Sequence, residues 1–252
     1  GSESKSAGEL AASSIEKALD LTLQNKFDAM VTLPVSKSVL YKAGWKFPGH
    51  TEMIASVCKV KNPLMILCTD KVRVGLATIH IPIKEVHRNL KKSEIINIAE
   101  KFSKSLKSDF GIKFPKIAVL GLNPHAGESG DIGKEEITTI IPAIEFLKKS
   151  RINIEGPFPA DGFFGHESFK NYDGILAMYH DQGLIPLKLL AKGRGVNFTA
   201  GLPVVRTSPD HGTAFEIAGK NIADHRSTLN AIKLATIIVT NRNIIFTKMN
   251  VK

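Results

Sequence analysis

Apolar residues recur along the chain first at helical spacing and then in short unbroken runs, and the two patterns alternate. Leu10, Ile15, Ala18, Leu19 and Leu23 share one helical face, and the run Ala-Met-Val-Thr-Leu at 29–33, stopped by Pro34, reads as a buried strand. Further runs predict strands at 64–68, 74–79, 116–122, 174–178 and 196–199. Helical spacing predicts helices at 93–109, 135–149 and 182–190, with 227–240 closing the fold. Strands alternating with helices of this length predict an α/β protein with a mainly parallel or mixed sheet. No internal repeat or low-complexity linker interrupts the pattern.

In such folds the chemistry gathers in loops at the carboxyl ends of strands, where polar side chains converge outside the sheet. The polar, glycine-bearing segments stand at such ends, at 47–52, 78–80, 121–128, 178–183 and 206–213. Of eight histidines, His80, His125 and His180 each follow closely on an apolar strand. Three imidazoles so placed can hold a divalent cation and leave a position open for substrate or water. Spacing alone equally allows three loop histidines with local hydrogen bonds. Asp181 either orients the His180 ring, binds the ion, or caps the following helix. Asp161, in a Pro/Gly loop, fits a turn former as well as a catalyst. His87, His166 and His225 receive no role.

A second theme is anion binding, with Lys188, Arg194 and Arg206 near Gly193, Gly195 and Gly201. Glycines let backbone amides approach a phosphate, Arg supplies a planar donor fork and Lys a point charge. His50 and Thr51 stand at a predicted helix start, whose free amides also attract anions. Each has an alternative: Thr51 as a simple cap, Lys188 as an amphipathic residue lying along a helix.

Composition narrows the class. The chain has 252 residues, 43% hydrophobic and 23% charged, enough for one large or two modest globular domains. Its apolar runs fall far short of the roughly 18 residues a membrane helix needs, so no such span is expected. Cys58 and Cys68 lack metal-type spacing and read as buried thiols of a cytoplasmic protein. The net charge of +10 is carried by scattered lysines such as Lys91, Lys92, Lys104 and Lys148 without a nucleic-acid motif. It points to an acidic substrate or solvated helix faces, not to nucleic acid.

The segments Pro-Gly-His-Thr-Glu (48–52), Gly-Leu-Asn-Pro-His-Ala-Gly-Glu (121–128), Tyr-His-Asp-Gln-Gly (179–183), Gly-Arg-Gly-Val-Asn (193–197) and Arg-Thr-Ser-Pro-Asp-His-Gly-Thr-Ala (206–214) resemble the successive motifs of the 4-hydroxythreonine-4-phosphate dehydrogenases of pyridoxal phosphate biosynthesis. The resemblance implies the fold of isocitrate and isopropylmalate dehydrogenases, two α/β domains flanking a cleft. Residues 1–41 and 219–252 would belong to the first domain, and 42–218 would form the metal- and substrate-binding domain with the dimer interface. It implies that His80, His125 and His180 bind a divalent metal (zinc, magnesium or cobalt) shared between two subunits of a homodimer. It also implies substrate contacts from His50, Thr51, Lys188, Asn197 and Arg206, with Asp161 near the reacting centre and Lys188 and Asp161 as candidates for the proton relay. The segment 211–220 resembles the loop on which isopropylmalate enzymes hold NAD, which implies an NAD or NADP site at His211, Gly212 and Glu216, the last on the adenosine ribose. No Gly-x-Gly-x-x-Gly occurs, so no Rossmann site is expected.

The implied reaction is oxidation of 4-phosphohydroxy-L-threonine, with a threonate or erythronate phosphate as the alternative substrate. Nothing before Ser6-Ala7-Gly8 matches the family's Gly-Asp-Pro-Ala-Gly-Ile-Gly-like N-terminal motif. The expectation is therefore a first domain lacking several tens of residues, and a catalytically impaired metal-binding fragment is a further alternative.

Overall fold

The structure is a computed structural model describing residues 2–47 and 49–250, the side chains of 248–250 excepted. Gly1 and Pro48, the first residue of the 48–52 motif, lie outside the described residues. In chain order the regular elements are α1 (Lys5–Leu23), β1 (Ala29–Val31), α2 (Lys37–Lys42), α3 (His50–Val57), β2 (Leu64–Cys68), β3 (Arg73–Leu76), α4 (Ile83–Asn89), α5 (Lys92–Ser108) and β4 (Ile117–Leu120). They continue with α6 (Ile141–Lys149), β5 (Ile154–Phe158), α7 (Ala160–Gly165), β6 (Gly174–Ala177), α8 (His180–Ala191), β7 (Val196–Ala200), β8 (Val205–Pro209) and α9 (Arg226–Asn250). The fold is mixed α/β, as the alternation predicts.

Contacts divide the chain into two compact units, residues 1–63 with 193–252, and residues 64–192. The family resemblance implies divisions at 41/42 and 218/219, so 42–63 and 193–218 fall with the terminal segments here. The wider first unit follows from pairing: β8 lies parallel to β1, with Ala29 opposite Val205, and β7 runs antiparallel to β8, with Phe198 opposite Thr207. The α3 residues Met53 and Ile54 join the same core as Ile15, Leu19, Met30 and Leu40. One face of β8 is tied to α9, since the Thr207 hydroxyl donates to the Ala231 carbonyl at 2.9 Å.

In the second unit β2 and β3 form an antiparallel pair, and β3, β6, β4 and β5 follow in parallel. Helix α5 covers this sheet with Ile95, Ala99, Phe102 and Leu106, spaced four, three and four apart and all buried. Cys68 is buried in β2, whereas Cys58 is only partly buried, contrary to the expectation of two buried thiols; desolvation raises the Cys58 thiol above its ordinary value.

Two strands depart from expectation. Val205–Pro209 reads as a polar loop, yet all five of its residues are buried in a strand. The Thr207 hydroxyl and the Arg206 guanidinium find internal partners, so burial does not require apolar side chains here. Residues 154–158 contain Gly156 and Pro157, which break the apolar run, and β5 is accordingly the terminal strand of the parallel set, where proline is tolerated.

The packing beneath α5 depends on a missing side chain. A Cβ on Gly174 would stand 2.6 Å from Cζ of Phe102, which is itself fully buried. Gly174→Ala should therefore destabilise the protein by about 1–3 kcal/mol through overpacking. Phe102→Leu should recover part of that loss in the double variant. Urea denaturation measures both effects, and strictly additive changes would contradict the assigned contact.

Candidate functional site

In the first unit the centre of interest is Arg206, which β8 carries into the interior at 3% exposure. Its Nε and Nη2 donate to the Thr32 hydroxyl at 2.9 and 2.6 Å, and Nη1 donates to Thr199 at 3.1 Å and Thr51 at 3.3 Å. Hydroxyls satisfy the donors without neutralising the charge. Burial pulls the guanidinium down to about 10, with Glu52 acting in the opposite direction. Thr51 lies within the first turn of α3 while Gly49 occupies the cap position, so its hydroxyl serves Arg206 and does not cap the helix.

His50 stands at the start of the same helix with Nε2 buried and unpartnered, its ring 6.3 Å from that of Trp45. Desolvation first, then the charges of Arg206 and Lys37, lower it to about 4, so the imidazole is neutral at pH 7. Asn197 on β7 also keeps Oδ1 buried without a partner. A buried cation, a neutral imidazole and orphaned polar atoms form a site that an anion bearing hydrogen-bond donors and acceptors would complete. Sequence reasoning missed Lys37, Thr32 and Thr199; the available signal was threonine at the polar ends of otherwise apolar runs.

In the second unit the parallel pairing of β3 with β6 continues past their ends: the Ala77 amide donates to Ala177 at 2.8 Å and the Thr78 hydroxyl to Met178 at 2.7 Å. This extension brings His80 and His180 together, with ring centroids 5.7 Å apart. Nδ1 of His180 lies 2.7 Å from Asp181 Oδ1, which fixes the ring and leaves Nε2 for another partner. Tyr179 holds the cap position of α8, so Asp181 is not its cap. Gln182, also missed, bridges two strand ends: it accepts from the Met178 amide at 2.7 Å and donates to the Gly121 carbonyl at 2.6 Å.

His125 is exposed on a left-handed turn and does not join the pair; among the described residues no group of three His, Cys, Asp or Glu is placed to hold an ion. The donor chemistry of two adjacent imidazoles, one braced by a carboxylate, nevertheless fits a divalent cation that takes its remaining ligands elsewhere. Asp161 lies in the first turn of α7 and Lys188 in α8, both exposed.

A third feature, again in the first unit, is a cavity of about 670 Å³ walled by Leu33, His211, Gly212, Thr213, Asp224 and His225 among others. His211 and Gly212 thus line a space large enough for part of a nucleotide, whereas Glu216 is exposed and is not among the lining residues. Asp224 is ion-paired with Arg226 at 2.6 Å, which holds its carboxyl well below the usual range.

Residues 1–235 match the family described as "Pyridoxal phosphate biosynthetic protein PdxA". The chain belongs to the PdxA family. A 4-hydroxythreonine-4-phosphate dehydrogenase of Prosthecochloris aestuarii is 48% identical over 244 residues, covering 96% of this chain and 72% of that protein. The crystal structure of the enzyme of that name from Klebsiella pneumoniae superposes with a TM-score of 0.85 at 40% identity, covering 94% of this chain and 72% of that one. A terephthalate 1,2-cis-dihydrodiol dehydrogenase from Burkholderia xenovorans LB400 follows at a TM-score of 0.69 and 29% identity, over 94% of this chain and 75% of that one. The PdxA fold is thus shared by dehydrogenases whose names specify different substrates.

The site around Arg206 has a titration signature. The folded value of His50 near 4 lies below the ordinary 6.5, so the unfolded chain binds the extra proton first. The contribution of the neutral ring is complete above about pH 6.5 and is lost as pH falls toward 4. Bound phosphate would offset the positive potential of Arg206 and Lys37, and the His50 midpoint should rise. An NMR titration of the imidazole C2–H signal, assigned with His50→Gln, checks this. An unchanged midpoint at saturating phosphate would place the anion elsewhere.

Proposed function

We propose that this chain oxidises 4-phosphohydroxy-L-threonine with NAD or NADP to a 2-amino-3-oxo acid phosphate, which decarboxylates to 3-amino-2-oxopropyl phosphate in pyridoxal phosphate biosynthesis. It would act as a cytoplasmic homodimer with a divalent metal at a site to which both subunits contribute. The observation that supports this most strongly is the buried Arg206 surrounded by three threonine hydroxyls beside the orphaned Nε2 of His50.

In this reading Arg206, Thr51 and neutral His50 take the substrate phosphate, with Asn197 and Lys188 completing its polar contacts. The guanidinium is already desolvated and oriented, so little reorganisation opposes binding. His80, His125 and His180 would hold the metal, and an imidazole set suits zinc or cobalt better than magnesium. A metal held there would supply Lewis-acid polarisation of the substrate's secondary alcohol, and a nicotinamide held by the residues at 211–216 would supply the hydride acceptor. Lys188 and Asp161 are the side chains proposed to take the alcohol proton. The resulting ketone lies β to the carboxylate, so the electron pair of the breaking carbon–carbon bond moves onto the ketone oxygen as carbon dioxide leaves. His211 and Gly212 would receive the nucleotide through the cavity they line, with Glu216 proposed for the adenosine ribose.

The experiment is NAD reduction followed spectrophotometrically with 4-phosphohydroxy-threonine against phosphorylated threonate. Turnover of the amino acid alone is expected; preference for the threonate would overturn the substrate assignment while keeping the phosphate site. Arg206→Lys keeps the charge and loses the fork, and should weaken substrate binding by about 1.5–3 kcal/mol. Equal affinity in the two proteins would remove Arg206 from the site.

Sharing of the metal between subunits has its own test. His80→Ala and His125→Ala chains should each fail to bind metal alone, yet their mixed dimer should regain up to one site, because both lesions fall in the other. If no mixture recovers binding, the ligands come from one chain.

A further inference from the structure

Glu136 is 1% exposed, and its hydrogen bonds come from neutral groups. Its Oε1 accepts the backbone amides of Leu122 and Asn123 at 2.7 and 2.8 Å, and its Oε2 accepts Asn123 Nδ2 at 2.9 Å. The Asn123 side chain also donates to Glu135 at 2.8 Å. Every one of these bonds lands on the two residues immediately before Pro124 and His125.

The backbone beyond them is unusual. His125, Ala126, Gly127, Glu128 and Ser129 all have positive φ, between 42° and 81°, a run of left-handed conformation that L-residues resist. The turn closes directly on the buried carboxylate: a Cβ on Gly127 would stand 2.6 Å from Glu136 Oε2. Glu136 itself begins a π-helical turn, residues Glu136–Ile140, ahead of α6, a local distortion that presents its carboxylate to the strand end. An apolar residue in this place would fill the space, but it could not accept three donors whose geometry sets the exit of the chain from β4.

We propose that Glu136 is a positioning residue for metal binding, fixing through Asn123 and the left-handed turn the direction in which His125 is presented. The inference rests on His125 being a metal ligand. Glu136 itself would not touch the metal. It acts by removing alternative conformations of the turn, so that the histidine is pre-set before the ion arrives.

The test uses the full chain loaded with Co²⁺, reading its dissociation constant by calorimetry and its visible d–d absorption. Glu136→Gln keeps the size but turns an amide donor toward Asn123. The Co²⁺ dissociation constant should rise roughly 10- to 100-fold, with the absorption band shifting toward that of His125→Ala. Asn123→Ala, which leaves the carboxylate intact, should change both readouts in the same direction and carries the test if Glu136→Gln does not fold. A role confined to stability would lower Tm and leave the affinity and band of the folded protein unchanged, which would overturn the inference. If His125→Ala itself binds Co²⁺ like the unaltered protein, the ligand assignment fails and this inference with it. Loss of binding in His125→Ala with unaltered binding in both other variants sinks the positioning role alone.

Discussion

The parallel pairing of β3, β6, β4 and β5 is the constraint on which the reactive side of the second unit depends. Parallel strands all end at one edge, so the segments that follow them leave the sheet together. His80 follows β3, His180 follows β6, Asn123 and His125 follow β4, and Asp161 follows β5. Residues far apart in sequence thereby reach one edge without any direct attraction between them. Hydrogen bonds past the strand ends, from Ala77 and Thr78 to the β6 side, refine this to the 5.7 Å separation of the two imidazoles. Gln182 adds a cross-brace between the ends of β6 and β4.

Each unit also buries a charge that neutral groups satisfy, with different outcomes. Around Glu136 the donors complete the carboxylate and leave the left-handed turn held from within. Four of its five left-handed residues are not glycine, which costs about 4–8 kcal/mol at roughly 1–2 per residue. Three hydrogen bonds to a charged group, at about 1.5–3 kcal/mol each, are of the size needed to offset it. Around Arg206 the hydroxyls satisfy hydrogen bonding but not charge, and the neighbouring Nε2 of His50 and Oδ1 of Asn197 have no partner. Full satisfaction suits a structural support, whereas the orphaned atoms beside Arg206 are those the proposed phosphate would complete.

Much of this was legible along the chain, and the exceptions share a cause. Helix α5 and strands β2 and β4 have local signatures that tertiary structure preserves, apart from shifts at their ends. β8 was not legible as a strand, because its polar residues are stabilised by Thr199 on the neighbouring strand and by Thr32, Thr51 and Ala231 from more distant segments. The short α2, α4 and α7 have too few turns for a periodicity to emerge. Among functional candidates, His50, Thr51, Asn197 and Arg206 could be picked out by motif. Lys37, Gln182 and Glu136 could not, since their roles lie in what they do to other residues. The unit boundary implied by the resemblance also differs from the contact division, because the assignment of 193–218 depends on the pairing of β7 and β8 with β1.

Recognition and chemistry are prepared to different degrees in this molecule. Arg206 is desolvated, oriented and bonded without any ligand, so in the proposed phosphate site its contribution to binding would require little ordering. By contrast His80, His125, Lys188 and Asp161 are exposed, where water screens charge and weakens any electrostatic stabilisation of a reacting centre. Catalysis by exposed groups of this kind requires that the assembled enzyme and its ligands exclude that water. The proposed homodimeric metal site would follow the same logic: two histidines whose rings lie close in one chain and a third presented on a stiff turn would each supply part of the ligand set. The stiffness of the turn matters most under that arrangement, because a ligand offered across an interface cannot be adjusted by the strands that hold the other two.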